Sequence, residues 1–403
     1  MEALTKASTK AVDSAQRFLE KDNNAVLTLG GAAAIVALIA LKKKASPKRD
    51  GKDFDDLVTG STRMLNNSDS VVKKDEVKNV VDGYENLFKN ENNTSDEAIK
   101  TRQTEYQKMV NSFYNLVTDF YEWGWGQSFH FGPRWRNEEF MESIKRAEYH
   151  LCSRLGMKPG VKALDVGCGV GGPMRHMAIF SEASIEGITI NQYQVNVGNK
   201  YNKQMGLDHI CHLNQGDFQK LPWDAGHFDV AYAIEATCHS PDKVQTFSEV
   251  ARVLKKGGRF AGYEWVVCDN YDPSNARHVE IKEGIEVGNG LPTLATPEQV
   301  VEALEKAGFK VLEHYNANRG QHSPHQIPWY ATLDGSYTLK GFRMTRLGRI
   351  TTHALVSTLE FLRIAPKGSK DVSRILNATA LDLVDGGKME IFTPSYYFLA
   401  EKL

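Results

Sequence analysis

The glycine-rich stretch from Ala163 to Pro173, which reads ALDVGCGVGGP, most constrains what this chain can fold into. An apolar run from Val161 to Val166 leads into it and is typical of a buried strand. Glycines then alternate with other residues at positions 167, 169 and 171. Glycine lets a backbone turn tightly and pass close to a ligand. The stretch therefore predicts a strand, a ligand-binding turn and a helix, at the sheet edge where α/β proteins bind ligands.

Asp165 indicates what kind of ligand this turn binds. It stands just before the first glycine, at the carboxyl end of the predicted strand. A carboxylate there accepts hydrogen bonds from an ammonium or a hydroxyl group but repels a pyrophosphate. This favours S-adenosylmethionine, whose methionyl end carries an ammonium group, over a dinucleotide. A glycine-rich turn without any ligand is the alternative.

The segments after the turn alternate between predicted strands and helices. Strands are expected over Ser184–Ile190, Cys211–Gly216, Phe228–Ile234 and Arg259–Val267, with a helix over Gln245–Leu254. Such alternation predicts a parallel, doubly wound α/β sheet. The series LDVGCG, GDF, FDVAYAIEA and LKKGGRF resembles the core of class I methyltransferases over about Met157 to Tyr315. The resemblance implies a Rossmann-like, seven-stranded sheet with helices on both faces.

The expected cofactor-binding residues follow from the strand ends of that fold. Thr189 stands where most methyltransferases carry an acid for the ribose, a substitution that resembles lipid-modifying methyltransferases. A helix N-terminus that caps itself is the alternative interpretation of Thr189 and Gln194. The predicted cofactor site comprises Asp165, Gly167, Cys168, Gly169, Gly171, Thr189, Asn191, Gln194, Asp217, Phe218 and Glu235.

Composition excludes several other classes of protein. The net charge of −1 over 403 residues gives no general case for nucleic-acid binding. Five cysteines without a CxxC pair indicate neither a disulfide framework nor a zinc site. His314, His322 and His325 cluster loosely, but no carboxylate or cysteine completes a ligand set, so no metal is expected.

The N-terminal part contains a candidate membrane anchor. Ala25–Leu41 is an uncharged apolar run, at the short end of what spans a bilayer, and Lys42–Lys44 follow it directly. The basic cluster after the run predicts a cytosolic C-terminal bulk. A buried alanine-rich helix is the alternative. Helices are expected from Val77 to about Asp119, with a polar break at Asn90–Asp96.

Further segments point to the methyl acceptor. YEWGWGQSFHF (Tyr121–Phe131), IEATCHSP (Ile234–Pro241), YEWVVCDNYDP (Tyr263–Pro273) and GNGLP (Gly288–Pro292) resemble the signature regions of the sterol 24-C-methyltransferase family. The C-terminal stretch from about Trp329 resembles that family's own C-terminal domain. The resemblance runs from about Val80 to the end and implies a helical and aromatic segment (80–156), a methyltransferase core (157–328) and a C-terminal domain (329–403). The part before it is expected to comprise a polar segment (1–24), a transmembrane helix (25–41) and a linker (42–79).

The resemblance implies methyl transfer from S-adenosylmethionine to C24 of a Δ24 sterol, through a cation that aromatic faces and carboxylates stabilise. It also implies an endoplasmic reticulum membrane location facing the cytosol, and a homo-oligomer. Candidate catalytic residues are Tyr121, Glu122, Glu235, His239 and Glu264. Candidate substrate-binding residues are Tyr121, Trp123, Trp125, Phe129, His130 and Trp265.

Three rival functions make different predictions. An NAD-dependent oxidoreductase predicts an acid at position 189 and a Gly-x-Gly-x-x-Gly turn, whereas the chain has Thr189 and reads Gly-x-Gly-x-Gly over positions 167–171. A methyltransferase of another lipid or a prenyl quinol predicts no sterol-type C-terminal segment. A non-catalytic, membrane-tethered sterol-binding protein predicts loss of Asp165 or of the glycines, and both are intact.

Overall fold

A computed structural model describes residues 72–73, 75–89, 93–318, 325–335 and 342–403, without the side chains of Trp123 and Arg343. The predicted transmembrane helix Ala25–Leu41, most of the linker and His322 lie outside these ranges. None of the helices within them is both long and apolar enough to span a bilayer.

The helices are spread along the whole described chain. In order they are α1 (Val77–Asn86), α2 (Asp96–Thr104), α3 (Tyr106–Trp125), α4 (Phe140–Leu155), α5 (Gly172–Ser181), α6 (Gln192–Gln204), α7 (Lys243–Val253), α8 (Ala276–Asn289), α9 (Pro297–Lys306), α10 (Ala331–Asp334), α11 (Arg346–Phe361) and α12 (Ser369–Lys388). The predicted polar break separates α1 from α2. Helix α3 runs on past the expected end at Asp119, so Tyr121 and Trp125 belong to its last turns.

The strands form one large sheet and one small one. They are β1 (Arg134–Trp135), β2 (Lys162–Val166), β3 (Ser184–Thr189), β4 (Cys211–Gln215), β5 (Phe228–Ile234), β6 (Leu254–Val267), β7 (Phe309–Asn316), β8 (Gln326–Ile327) and β9 (Phe392–Lys402). The seven-stranded sheet has the order β4-β3-β2-β5-β6-β9-β7, and β1 pairs with β8. All seven strands run parallel except β9, which is antiparallel to both of its neighbours.

This topology confirms the predicted class I methyltransferase fold. The chain moves outward from β2 through β3 to β4 and then returns to place β5 on the other side of β2. The carboxyl ends of β2 and β5 thus flank the point where strand order reverses, which is where such sheets bind ligands. One detail differs from the expectation. The strand expected from Arg259 already begins at Leu254, and its pairing with β5 shifts register between Phe228 and Val230.

The C-terminal part of the chain packs directly onto the core. Strand β9 lies inside the core sheet, and α12 packs against α8. This helix pair approaches closely because α8 carries small residues. A Cβ atom on Gly288 would overlap the Thr379 side chain of α12. The segment predicted as a separate C-terminal domain therefore supplies both a core strand and a helix beside the sheet.

Candidate active site

The glycine turn lies between β2 and α5 and bends back against the segment that follows β5. Gly167, Gly169 and Gly171 all have positive φ angles, of 81°, 54° and 76°. A Cβ atom on Gly167 would overlap the Ala236 side chain, so only glycine fits there. Beside this turn is a cavity, here called the cofactor cavity. Its lining includes Asp165, Gly167, Cys168, Gly169, Thr189, Gln194, Asp217, Phe218 and Glu235.

Asp165 is the buried acid of the cofactor cavity. Only 3% of its surface is exposed, and the Tyr232 hydroxyl donates a hydrogen bond of 2.9 Å to its carboxylate. Burial raises the pKa of Asp165 to about 7, even though this hydrogen bond opposes the shift. A ligand ammonium would supply the missing positive partner. The carboxylate, the close glycines and the ring of Phe218 therefore fit S-adenosylmethionine.

Two of the predicted cofactor residues do not line this cavity. Asn191 is fully buried and caps α6, because its side-chain oxygen accepts the Gln194 amide at 3.0 Å. Its amide nitrogen donates to Asn115 of α3 at 2.7 Å. Gly171 is the N-cap of α5, and a Cβ atom on it would lie 3.0 Å from the Arg175 guanidinium and 3.2 Å from Leu213. Thr189 donates to the Gln194 side chain at 2.7 Å, and both line the cavity, so capping falls to Asn191 rather than to them.

A second cavity adjoins the first and has more aromatic and aliphatic side chains in its walls; it is called the acceptor cavity. Its walls come from α3, the aromatic segment after α3, the ends of β5 and β6, and helices α11 and α12. Among its lining residues are Phe113, Phe120, Tyr121, Trp125, Phe131, Trp265, Leu376 and Leu383. Five residues line both cavities: Tyr114, Phe129, His130, Glu235 and His239. A group passing from one ligand to the other must pass these five side chains.

Glu235 is held rigidly at this shared wall. It has a φ of +54°, which is rare for a residue with a side chain. Its two carboxylate oxygens accept hydrogen bonds of 2.7 Å from the Phe131 amide and from the Trp265 indole. Burial raises the pKa of Glu235 to about 8, although the charge of His130 opposes this shift. A carboxyl group in this position is poised to ionise when a cation binds.

His130 carries that nearby positive charge. Its Nδ1 lies 2.6 Å from the Phe131 carbonyl oxygen, and its Nε2 lies 3.1 Å from a Glu148 carboxylate oxygen. Burial alone would lower the pKa of His130, but the bond to Glu148 outweighs it and raises the pKa. Burial likewise opposes ionisation of Glu148, whose pKa is nevertheless held at about 2 by His130 and His176. Since both ring nitrogens of His130 face acceptors, the imidazolium form fits this position.

His239 differs from His130 because it is neutral. Burial lowers its pKa to about 4. Its Nδ1 lies 3.1 Å from the Gly290 carbonyl oxygen, so Nδ1 carries the proton. Its Nε2 is then an acceptor, 2.9 Å from the Tyr114 hydroxyl. Tyr114 and His239 thus form a hydrogen-bonded dyad on the shared wall. Tyr114 is not among the residues predicted from the sequence, although it lies seven residues before Tyr121 on the same face of α3.

The other predicted catalytic and substrate residues fall into two groups. Tyr121, Trp125, Phe129, His130 and Trp265 line the acceptor cavity. Two predicted acids line neither cavity. Glu122 accepts a hydrogen bond from the Tyr201 hydroxyl at 2.7 Å. Glu264 is fully buried and is held by Thr237, Lys243 and its neighbour's amide. Glu122 and Glu264 therefore bond to other protein groups, and neither reaches the wall that the two cavities share.

Comparison with known proteins supports a methyltransferase. Residues 164–262 match the family profile "Methyltransferase domain", and residues 339–402 match "Sterol methyltransferase C-terminal". The chain is 46% identical over 345 residues to cycloartenol-C-24-methyltransferase 1 of Oryza sativa, covering 85% of this chain and 98% of that protein. It is 41% identical to sterol 24-C-methyltransferase ERG6 of Saccharomyces cerevisiae, covering 77% and 82% of the two chains.

Solved structures with a similar fold are more distant in sequence. The cyclopropane synthase MmaA2 of Mycobacterium tuberculosis superposes with a TM-score of 0.54 at 16% identity, covering 75% of this chain and 98% of that one. A geranyl diphosphate methyltransferase bound to GPP and sinefungin gives 0.53 at 14% identity, covering 74% and 99%. At these identities the likeness concerns the fold alone.

Proposed function

Because the chain belongs to the sterol 24-C-methyltransferase family, we propose that its two cavities bring a methyl donor and a Δ24 sterol together across one shared wall. The observation that carries this proposal is the contact between a cavity that contains the glycine turn and the buried acid Asp165 and an apolar cavity lined by aromatic rings. A sterol is a long apolar body with a single hydroxyl group. The acceptor cavity matches it, since aromatic and aliphatic side chains dominate its walls.

S-adenosylmethionine supplies a methyl group on a positively charged sulfur. Asp165 is placed to hold the ammonium of its methionyl end, and Phe218 and Asp217 to hold its adenine. Glu235 faces both cavities and is the carboxylate best placed to balance the sulfonium charge and then the charge that develops on the sterol. Tyr121 and Phe129 pack edge to face, with ring centroids 5.6 Å apart, and shield that carbon cation from water.

The Tyr114–His239 dyad is the proton acceptor in this proposal. Methyl addition at C24 places the positive charge on C25, and a hydride shift from C24 to C25 moves it to C24. A C–H bond of the new methyl group then breaks, and its electrons form the 24-methylene double bond. The Tyr114 oxygen takes this proton while its own proton passes to Nε2 of His239. A weak base suffices, because a C–H bond beside a carbon cation is strongly acidic.

Product analysis tests the activity. Purified protein is incubated with methyl-labelled S-adenosylmethionine and a panel of Δ24 sterols (cycloartenol, lanosterol and zymosterol), and the products are identified by mass spectrometry. We expect a labelled 24-methylene sterol. Absence of label from every sterol of the panel would refute the proposal.

Product distribution also tests the dyad. In Tyr114→Phe, the sterol cation lacks its acceptor, so we expect slower turnover and products in which water has added or another C–H bond has broken. Binding of S-adenosylmethionine should persist. Tyr149→Phe is the matched control, because Tyr149 lies on α4, stacked on Phe180 and outside both cavities. A normal product at a normal rate from Tyr114→Phe would remove the dyad from the mechanism.

Membrane association completes the proposal. A sterol dissolves in bilayers rather than in water, and the uncharged run Ala25–Leu41 followed by three lysines suits an anchor whose C-terminal bulk faces the cytosol. The endoplasmic reticulum membrane is the proposed location. Imaging of the full-length chain and of a chain lacking residues 1–41, with protease protection of the C-terminal part, tests this location. Release of the shortened chain from membranes would support the anchor.

A further inference from the structure

The connection between α11 and α12 exposes an unusual amount of apolar surface. Phe361, Leu362 and Ile364 are 84%, 58% and 44% exposed, and they are almost adjacent in sequence. Arg363 between them has a left-handed backbone with a φ of +58°. Scattered exposed apolar residues are ordinary, but a contiguous group marks a binding surface. These four residues, 361–364, are called the apolar loop.

Basic side chains lie within the apolar loop and just after it. Arg363, Lys367 and Lys370 are all exposed. The nearby acid Glu360 accepts the backbone amide of Lys370 at 2.8 Å, and Asp371 is paired with Lys78 at 3.1 Å. The exposed charge beside the loop is therefore mainly positive. Exposed apolar side chains with cations beside them complement the interface of an anionic bilayer.

The apolar loop joins the two helices that close the acceptor cavity. Arg349 and Thr352 of α11 line that cavity, as do Ser373 and Leu376 of α12. Ser373 lies only four residues into α12, a rise of about 6 Å along the helix. On α11 the nearest lining residue, Thr352, lies nine residues before Phe361, a rise of about 14 Å along that helix. The loop therefore lies beyond one end of the acceptor cavity, within a few turns of helix, on the side from which a lipid-soluble substrate could enter from a bilayer.

The same corner of the molecule receives the chain that leads from the N-terminal apolar run. A Cβ atom on Gly368, just after the loop, would lie 3.2 Å from the Cα atom of Lys78 at the start of α1. Lys42–Glu76 connect that helix to Ala25–Leu41. A membrane that receives the apolar run can thus also reach the apolar loop.

We propose that the apolar loop docks on an anionic lipid bilayer, as a second membrane contact independent of Ala25–Leu41, and admits the substrate from it. The route for substrate rests on the proposed sterol activity, whereas the docking itself does not.

Vesicle binding by the full-length chain tests the docking. Phe361→Ser combined with Leu362→Ser should weaken partitioning onto vesicles of phosphatidylcholine and phosphatidylserine by about tenfold. The matched control is Ile179→Ser with Phe180→Ser, an adjacent exposed pair on α5, each 55% exposed. It should bind as the unmodified protein does. Lys367→Gln with Lys370→Gln should lose about fivefold per charge on these vesicles, and nothing on neutral ones.

Activity measurements separate the docking from the catalytic proposal. The loop variant should methylate sterol in detergent normally but sterol in vesicles slowly. Unchanged vesicle binding and unchanged activity on vesicle-held sterol would overturn the docking. A change of oligomeric state on analytical ultracentrifugation, with vesicle binding intact, would assign the loop to a second copy of the chain instead and would equally overturn it. If the unmodified protein methylates sterol neither in detergent nor in vesicles, while the loop variant binds vesicles more weakly as expected, only the sterol activity would be refuted.

Discussion

The raised pKa of Glu235 predicts that binding of S-adenosylmethionine depends on pH in a specific way. Burial gives this carboxyl a pKa of about 8, so it is mostly protonated at pH 7 in the free protein. A sulfonium in the adjoining cavity favours the ionised form. Ionising the carboxyl at pH 7 costs about 1.4 kcal/mol, so the binding of S-adenosylmethionine is less favourable by the same amount. The cost disappears as the pH rises through the pKa.

S-adenosylhomocysteine provides the control for this prediction. It shares the ammonium and the adenosine but has a neutral sulfur, so it leaves Glu235 protonated. The pH responses of Asp165 and of the ligand ammonium are common to both ligands and cancel in the affinity ratio. Calorimetry should show the preference for S-adenosylmethionine over S-adenosylhomocysteine rising about tenfold from pH 7 to pH 9.

Glu235→Gln completes the experiment, because an amide cannot ionise. Its affinity ratio should be the same at every pH. A thermal unfolding curve establishes that the variant is folded, since the new amide leaves one of the two N–H donors without an acceptor. A flat affinity ratio in the unmodified protein would refute the reasoning, because the carboxylate would then not sense the sulfonium charge.

Three further predictions concern other parts of the site. Asp165→Asn should weaken both ligands by about tenfold or more in calorimetry, because each loses a charge-assisted partner for its ammonium; an effect on only one ligand would contradict this. Lys243→Met should lower the free energy of unfolding in urea by about 3–5 kcal/mol, because it leaves the buried Glu264 carboxylate without its cation. Adding Glu264→Gln to the Lys243→Met chain should recover part of this loss. Gly288→Ala should cost about 1–3 kcal/mol by overpacking Thr379, and should raise the KM for sterol, because Thr379 lines the acceptor cavity. An unchanged melting temperature would mean that α8 and α12 separate easily.

The cofactor half of the site could be predicted because its signals are local. The glycine turn, the acid before it and the strand that ends at Ile234 are each contained in a few consecutive residues. Strand order then follows from the general topology of such sheets. The observed bounds of β5 coincide with the predicted ones, and those of β3 differ by one residue.

Glu122 and Glu264, both predicted as catalytic, lie next to cavity residues in the sequence, but adjacent residues point in different directions. Neighbours on a helix point about 100° apart, so Tyr121 faces the acceptor cavity while Glu122 faces Tyr201. On β6 the two neighbours also face different partners, because Glu264 meets Thr237 and Lys243 while Trp265 lines the acceptor cavity. The helical spacing of seven residues that relates Tyr121 to Tyr114 was the signal that could have revealed the dyad.

Long-range packing was beyond sequence analysis. The contact between Gly368 and Lys78 joins positions almost three hundred residues apart, and nothing local indicates it. The position of β9 inside the core sheet is equally non-local, since β6 and β7 precede it by long stretches of chain.

That position of β9 also fixes the order in which the molecule can be completed during synthesis. The strand between β6 and β7 comes from the last residues of the chain, and α12 comes just before them. Proteins leave the ribosome N-terminus first. The turn that receives S-adenosylmethionine can therefore form while the sheet still has a gap and the sterol has no enclosed site. Closing the gap between β6 and β7 and enclosing the acceptor cavity therefore both wait for α12 and β9, which follow every element of the glycine-turn half of the sheet.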